Sequence, residues 1–438
     1  MNFQQSLEYL LSLGNEVLAM KLGLNSTEKL LAALGNPEQK ILKVQVAGTN
    51  GKGSTCAFLD AICRRAQIKT GLFTSPHLIS ITERIKINGA SISETDFAGH
   101  ATRIREISEK LVEENELEAV PTFFEQMTAI AVSVFAEAEI ELAILETGLG
   151  GRFDSVTATR AEIVAITPID YDHQQILGNT LAEIAFEKAA IIRADTRVIV
   201  ARQKHEANRV ILGKCREVGV EPIFVSAELH IHKEIDEWGV FPFPLDTSVI
   251  VNKKVYPHFI LKMLGRHQYD NAALAIVIAE TLNEFGFKVT GEDIKNGLEV
   301  AEHKGRLEYY GNILFDGAHN VAGAKALSAY LDEFIKQPLT IVFGAMRDKD
   351  LPEIAKILFP KATCLIFTKA DNPRSMETAE LMKFLPADFN MDNVYRRETV
   401  EEALWLAGWC SMHGITCVTG SIYLVGEAQK LLNNKSEF

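Results

Sequence analysis

The sequence lacks any C-x-x-C pair; its six cysteines, at 56, 63, 215, 364, 410 and 417, are scattered. Such a scatter fits reduced core or surface residues of a cytosolic protein rather than a disulfide or metal framework. No apolar stretch approaches the ~20 residues of a membrane span. The N-terminal segment, MNFQQSLEYLLSLGNEV, has neither a basic leader region nor a cleavage site. These absences predict a cytoplasmic protein with no membrane partner. Basic residues are also short: 45 Lys and Arg stand against 58 Asp and Glu, a net charge of −13. A nucleic-acid partner requires the opposite balance, although a local cluster can still hold an anionic small molecule. No repeat, low-complexity tract or coiled-coil pattern occurs, so a monomer is expected. What remains is a chain of 438 residues, 47% hydrophobic, long enough for two or three ordinary cores.

The most informative segment is VAGTNGKGST, residues 46–55. An apolar run at 41–46 precedes it and the helical pattern CAFLDAICRRA follows. A strand, a glycine-rich turn and a helix opening on a lysine form a phosphate cradle. Glycine lets the backbone approach phosphate oxygens, and a helix N-terminus favours negative charge. Gly48, Thr49, Asn50, Gly51, Lys52, Gly53, Ser54 and Thr55 are therefore candidate nucleotide contacts. Lys52 would reach the outer phosphates, and Ser54 or Thr55 would meet magnesium. The spacing departs from G-x-x-x-x-G-K-[ST]: Val46 replaces the first glycine, and Gly53 stands where a hydroxyl residue should follow the lysine.

Strand-like runs alternate with helical ones, which predicts parallel sheets covered by helices. Strands are expected at 41–46, 70–73, 141–146, 162–167 and 197–200, with helices at 122–138, 180–192 and 268–285. Residues 224–262, containing VIVNKKVYPHFILKM, break the rhythm and read as a small hairpin-like insertion. A second alternating block has strands at 312–316, 340–343, 363–367 and 415–419. The domain boundary falls between Gly297 and Gly305, giving domains of 1–300 and 301–438. The predicted fold class is α/β: a P-loop-containing, doubly wound parallel-sheet domain followed by a smaller Rossmann-like domain. Four polar turns end the first four strands: the cradle, Thr74-Ser75-Pro76-His77, Glu146–Arg152 (ETGLGGR) and Asp170-Tyr171-Asp172-His173. In a doubly wound sheet the carboxyl ends of the strands are where ligands bind.

One lysine lies on the wrong face of its helix. Thr180 and Glu183 form a capping box, and the apolar stripe runs through Leu181, Ile184, Ala185, Ile191 and Ile192. Lys188 falls inside that stripe. A buried lysine must snorkel, pair or become neutral. Snorkelling, or pairing with Glu187 or Asp172, is the plain alternative. The other is a depressed pKa and reaction with carbon dioxide, which would turn the cation into an oxygen ligand suited to magnesium.

Taken in order, VAGTNGKGST, LFTSPHL followed by ERIKING, ETGLGGRFD, DHQQILGNTLAEIAFEKAAI, GRHQYDNA, GRLE, DGAHN, DKD and VTGSIYLVGEA resemble the folylpolyglutamate synthase family, often bifunctional with dihydrofolate synthase, of the Mur-ligase superfamily. The match spans nearly the whole chain. The resemblance implies ATP-dependent ligation of L-glutamate to dihydropteroate or reduced folates through an acyl phosphate. It implies two magnesium ions served by Ser54, Ser75, Glu146, His173 and a carbamylated Lys188, with room for a monovalent cation. It places Asn271, Arg306, Asp316 and His319 around the nucleotide, and Phe124 and Asp154 in the pterin pocket. Lys52, Lys188, His173, Arg306 and His319 would form the catalytic group.

Each of these side chains also has an ordinary explanation: Ser75 as a turn residue, Glu146 as a cap, His173 as a surface partner of Asp172, Arg306 as a surface ion pair, and Asp316 and His319 as shapers of a turn. Four segments depart from the family pattern. GGRFDSVTATR replaces GGRLDATN, EKAAI replaces EKAGI inside a helix where alanine is favoured, DGAHNVAGA lacks the usual proline after the asparagine, and HKGRLE lacks a proline before its glycine, which predicts a looser interdomain linker. Two competing functions are a Mur-type ligase acting on another carboxylate and a nucleotide-hydrolysing switch. About forty residues precede the phosphate loop, too few for the extra domain of a Mur ligase proper, and a switch does not need a second α/β domain.

Overall fold

The computed structural model describes residues 1–14, 23–234, 245–387 and 389–435. Eight strands form the first sheet: β1 (Leu42–Ala47), β2 (Thr70–Phe73), β3 (Ile85–Ile87), β4 (Ala90–Ser91), β5 (Leu142–Glu146), β6 (Ile163–Ile166), β7 (Arg197–Val200) and β8 (Ile223–Phe224). Their order is β4-β3-β2-β5-β1-β6-β7-β8. From β2 to β8 neighbouring strands run parallel, and at the other edge β2–β3 and β3–β4 pair antiparallel. Short apolar strands buried on both faces are what a parallel sheet demands. Alternation along β5 shows it: Ile144 enters one core, while Ala143 and Leu145 enter the other. Helices Lys52–Arg65, His267–Thr281 and Gly291–Val300 cover the first face. Helices Phe3–Ser12, Asn25–Ala33, Glu94–Glu113 and Phe123–Glu137 cover the second.

The insertion is larger than a hairpin. Strands β9 (Ala227–Glu234), β10 (Leu245–Val251) and β11 (Lys254–Phe259) form an antiparallel sheet of order β11-β10-β9. Asn252 and Lys253, both at positive φ, make the β10–β11 turn, as two-residue hairpin turns require. Residues 235–244 of the expected insertion lie outside the described residues. Val249, Val251, Tyr256 and Phe259 join the core beneath helix His267–Thr281, so the insertion is anchored rather than appended.

The third sheet contains β12 (Glu308–Tyr310), β13 (Ile313–Asp316), β14 (Leu339–Phe343), β15 (Cys364–Phe367), β16 (Val394–Arg396) and β17 (Ile415–Thr419), in the order β12-β13-β17-β14-β15-β16. All pairs are parallel except β12–β13. The expected strands recur within a residue or two. The short edge strands β3, β4, β8, β12 and β16 were not among the expectations, because two- and three-residue pairings carry no periodicity to detect. The helix expected over 180–192 is regular only across Leu181–Ala189, and 268–285 ends as a 3₁₀ turn from Leu282. Among the described residues, no helix is long and apolar enough to cross a membrane.

Candidate active site

The four polar turns lie side by side, because β2, β5, β1 and β6 are adjacent and parallel. After β1 the chain turns through Gly48–Gly51 into helix Lys52–Arg65, whose N-cap, Gly51, has φ 88° and supplies no capping side chain. The first N–H groups of this helix are therefore left to a ligand. Two glycines are required by close approach. A Cβ at Gly48 would lie 1.8 Å from Thr167 Oγ1, and one at Gly51 would lie 2.2 Å from Asn271 Oδ1. Asn271 thus touches the cradle directly. Thr49 N–H donates to the Pro168 carbonyl (3.1 Å), and the Thr49 hydroxyl donates to the Asp170 carbonyl (3.0 Å), tying the cradle to the turn after β6. The Lys52 ammonium folds back over the loop to the Gly48 and Thr49 carbonyls at 3.3 and 3.4 Å. The two candidate hydroxyls separate: Ser54 lines the cavity, whereas Thr55 is fully buried inside the domain with no partner for its Oγ1 among the described residues.

Glu146, the last residue of β5, is buried and accepts the Ser75 N–H at 3.1 Å. Burial raises its pKa, against the pull of Lys52, Ser75 and Arg306. His173 begins the short helix Gln174–Leu177 with φ 49°, and burial lowers its pKa to about 4. Among the described residues no three His, Cys, Asp or Glu side chains converge as a metal cluster. A metal here would rest on hydroxyls, one carboxylate and an imidazole, a hard donor set that fits magnesium better than zinc.

Lys188 is 4% exposed, so it does not snorkel. Neither expected partner pairs with it: Glu187 faces Arg152 (3.7 Å), and Asp172 faces Lys349 (2.8 Å). Its ammonium donates instead to the Gly48 carbonyl at 2.7 Å, the same oxygen that Lys52 approaches. Burial, then the neighbouring Lys52 charge, lowers its pKa to about 7.

The carboxyl edge of the third sheet faces that of the first. Asp316 ends β13, and its carboxylate accepts N–H groups of Leu307 and Ala318 (3.1 and 3.0 Å), which shapes the turn. His319 Nδ1 lies 2.8 Å from the Gly317 carbonyl, which makes it the donor and leaves Nε2 toward Asp172 at 3.7 Å. Arg306 Nη1 donates to the Gly317 carbonyl at 3.3 Å. Asp172 is the junction of the two edges. It accepts from Lys349 (2.8 Å) and Asn320 (2.9 Å), and Asn320 also donates to Asn50 at 2.9 Å. Burial alone would raise the Asp172 carboxyl, but Lys349, His319 and His173 together hold it well below the usual carboxylate range.

Between the edges lies a cavity of about 400 Å³. Phe124 and Phe153 line it, and Lys52, Ser54, Ser75, Glu146, His173, Lys188, Asn271, Arg306, Asp316 and His319 all reach it. The Phe124 ring stacks on Phe73 (5.7 Å between centroids) and lies 2.5 Å from where a Cβ of Gly148 would be. Asp154 also lines the cavity, but its carboxylate is engaged by the Leu149 and Val156 N–H groups (2.8 and 3.0 Å). Burial raises its pKa to about 6. It therefore holds the ETGLGGRFD loop in shape.

Sequence reasoning missed Lys349, Asn320, Gln268, His267 and His303 as cavity residues. DKD and DGAHN contain the first two, but nothing local marks which side chain crosses to the other sheet. His303 had an indirect signal: Gly53, the missing side chain after the P-loop lysine. At the HKGRLE linker two hydrogen bonds hold Gly305. Gly305 N–H donates to Glu308 Oε2 at 2.7 Å, and its carbonyl accepts Gly317 N–H at 2.9 Å.

The family model of the Mur ligase middle domain matches residues 46–279, and that of the Mur ligase glutamate ligase domain matches residues 305–422. The chain is 35% identical to the dihydrofolate synthase/folylpolyglutamate synthase of Bacillus subtilis, over 96% of this chain and 97% of that one. It is 30% identical to the dihydrofolate synthetase of Saccharomyces cerevisiae, over 95% and 99%. Among solved structures, the Mycobacterium tuberculosis folylpolyglutamate synthase complexed with ADP superposes with a TM-score of 0.88 at 28% identity, covering 98% and 99% of the two chains. The E. coli FolC in complex with DHPP and ADP gives 0.85 at 25% identity, covering 100% and 99%. The protein described here belongs to the dihydrofolate synthase/folylpolyglutamate synthase family of Mur ligases.

Proposed function

We propose that this chain is an ATP-dependent acid–amino-acid ligase that joins L-glutamate to dihydropteroate, to reduced folates, or to both, giving dihydrofolate and folylpolyglutamates. The observation that carries this is one cavity between two sheet edges, lined by the phosphate cradle from the first domain, by Arg306 and His319 from the second and by Phe124 and Phe153. The relatives named for these activities and the ADP and DHPP complexes of related enzymes support it.

A carboxylate is a poor electrophile. Transfer of the γ-phosphoryl group of ATP to a substrate carboxylate oxygen makes an acyl phosphate and ADP. The glutamate amine then attacks the acyl carbon, loses a proton, and inorganic phosphate leaves as the amide forms. Lys52 holds the outer phosphates, with the N–H groups of Gly48–Thr55 around them. Asn271 borders the nucleotide, and Arg306, Asp316 and His319 close over it from the second domain. Phe124 stacks on the pterin, and Asp154 fixes the loop beneath it. Ser54, Ser75, Glu146, His173 and a carbamylated Lys188 would hold two magnesium ions, which supply neutralisation of the crowded phosphate and carboxylate charges. With its pKa near 7, Lys188 supplies a substantial fraction of free amine at neutral pH. The free amine is the form that adds to carbon dioxide, losing a proton to give a carbamate.

We place the domain boundary near residue 301 and regard the protein as a cytoplasmic monomer. The test is ADP release with ATP, magnesium and glutamate, offering dihydropteroate and tetrahydrofolate in separate reactions. Turnover with both makes the enzyme bifunctional, and turnover with tetrahydrofolate alone makes it a chain extender. Silence with both would favour a Mur-type ligase for another carboxylate, and equal ADP release without any acceptor would favour a switch.

A further inference from the structure

His303 belongs to the short connection between helix Gly291–Val300 and β12, yet its ring reaches into the first turn of the phosphate-loop helix. Its Nδ1 lies 3.2 Å from Ser54 Oγ. A Cβ at Gly53 would lie 2.6 Å from His303 Cε1 and 3.3 Å from Glu146 Oε2. The imidazole therefore occupies the space that a serine or threonine after the P-loop lysine would take, which accounts for the glycine at that position. The connection has little room to shift. The helix before it packs so closely on the P-loop helix that a Cβ at Gly297 would lie 2.4 Å from Ile62 Cα. Gly305 is held at the other end by its two hydrogen bonds.

A serine hydroxyl that ligates a cation does so through an oxygen lone pair and must send its hydrogen elsewhere. An imidazole nitrogen at hydrogen-bond distance is the acceptor that fixes this geometry, as partners behind metal ligands commonly do. We propose that His303 is a positioning residue of the phosphate cradle. Its Nδ1 accepts the Ser54 hydroxyl hydrogen and turns the Ser54 lone pair toward the cation that accompanies the nucleotide, so that the interdomain connection helps set the cation site. The proposal rests on the magnesium–nucleotide reading of the cavity given above.

The test is calorimetric titration of ADP, with and without magnesium, into the intact protein and its His303→Leu, His303→Asn, Ser54→Ala and His303→Leu/Ser54→Ala variants. Leucine fills a similar volume without an acceptor, and asparagine can place Oδ1 near the position of the ring Nδ1. His303→Leu is expected to weaken the magnesium-dependent tightening of ADP about 10- to 100-fold, while affinity without magnesium changes less than about threefold. His303→Asn should recover most of the loss, and the double variant should be no worse than Ser54→Ala, since the two groups act as one. Equal loss with and without magnesium, failure of asparagine to rescue, or additive losses in the double variant would overturn the proposal. Should His303→Leu melt below the assay temperature, His303→Gln, whose acceptor sits one bond further out, takes its place with the same expected loss. A wild-type protein that binds no ADP under either condition would overturn the site reading as well, which separates the two failures.

Discussion

Two buried lysines mark opposite ends of the first sheet. Lys43, near the amino end of β1, is 3% exposed, and Lys188, beside its carboxyl end, is 4% exposed. The Lys43 ammonium donates to the Glu38 and Ile41 carbonyls (2.9 and 2.7 Å) and to Glu162 (3.1 Å). Three acceptors match its three N–H groups. Lys188 donates to the Gly48 carbonyl, shares that oxygen with Lys52, and has no carboxylate pair among the described residues. Equal burial therefore means different things. At the amino edge the charge is satisfied and the lysine is part of the architecture. At the carboxyl edge it is held short of partners next to a phosphate cradle, which is where a perturbed group marks a functional site.

The sharpest way to break this comparison is to remove each lysine. Lys188→Ala should lower glutamate ligation about 1000-fold or more without unfolding the protein, and added short carboxylic acids should partly restore it. Lys43→Ala should leave kcat/KM within about threefold yet cost about 2–4 kcal/mol of stability in denaturant unfolding, because buried carbonyls lose their donor. Full activity in Lys188→Ala without additives would erase the distinction.

A smaller effect is expected where the two domains meet. Asp172→Ala leaves Lys349, itself 7% exposed at its side chain, buried with only the more distant Asp348 carboxylate at 3.7 Å. The variant should lose about 10- to 100-fold in kcat, and its scattering profile should no longer contract when ATP and substrate are added. An unchanged kcat would show that closure does not depend on this junction. Phe124→Ala should raise KM for the pterin substrate about tenfold and leave KM for ATP near wild type in steady-state assays; a parallel rise in both would place Phe124 outside the pterin pocket.

The smallest effect is a pH-dependent one. Unfolded lysine titrates near 10.4, whereas Lys188 in the folded chain titrates near 7. The folded state therefore binds fewer protons between those values, and wild-type stability from this group falls as pH drops from about 10.4 to 7. Lys188→Met should melt a few degrees above wild type at pH 7, with the gap closing toward pH 10. Lys43→Met should melt below wild type at both values. A Lys188→Met gap that is constant with pH would contradict the depressed pKa.

Much of this site was legible in the sequence because its groups sit at strand ends, and strand ends are local features. The cradle and the turns that hold Ser75, Glu146 and His173 follow from where apolar runs stop, whereas Asp316 came with the family resemblance. Lys188 was legible as a conflict between charge and helical period, though its partner was not, since the Gly48 carbonyl lies 140 residues away in sequence. Asp154 was assigned to substrate contact, but its oxygens are taken by its own loop. Lys349, Asn320 and His303 escaped because their roles arise only when the second sheet edge folds over the first. The β insertion was visible as a break in rhythm, but its third strand was missed, although β9 (AELHIHKE) alternates apolar and polar residues through its first six positions, a signal that could have found it.

The central proposal for this cavity is activation of a carboxylate by phosphorylation. Its most direct test is ligation with a folate substrate whose acceptor carboxylate carries two ¹⁸O atoms, followed by mass analysis of the inorganic phosphate. The acyl-phosphate route predicts one ¹⁸O in each phosphate released and one retained in the new amide. Phosphate free of label, with ligated product formed, would contradict it.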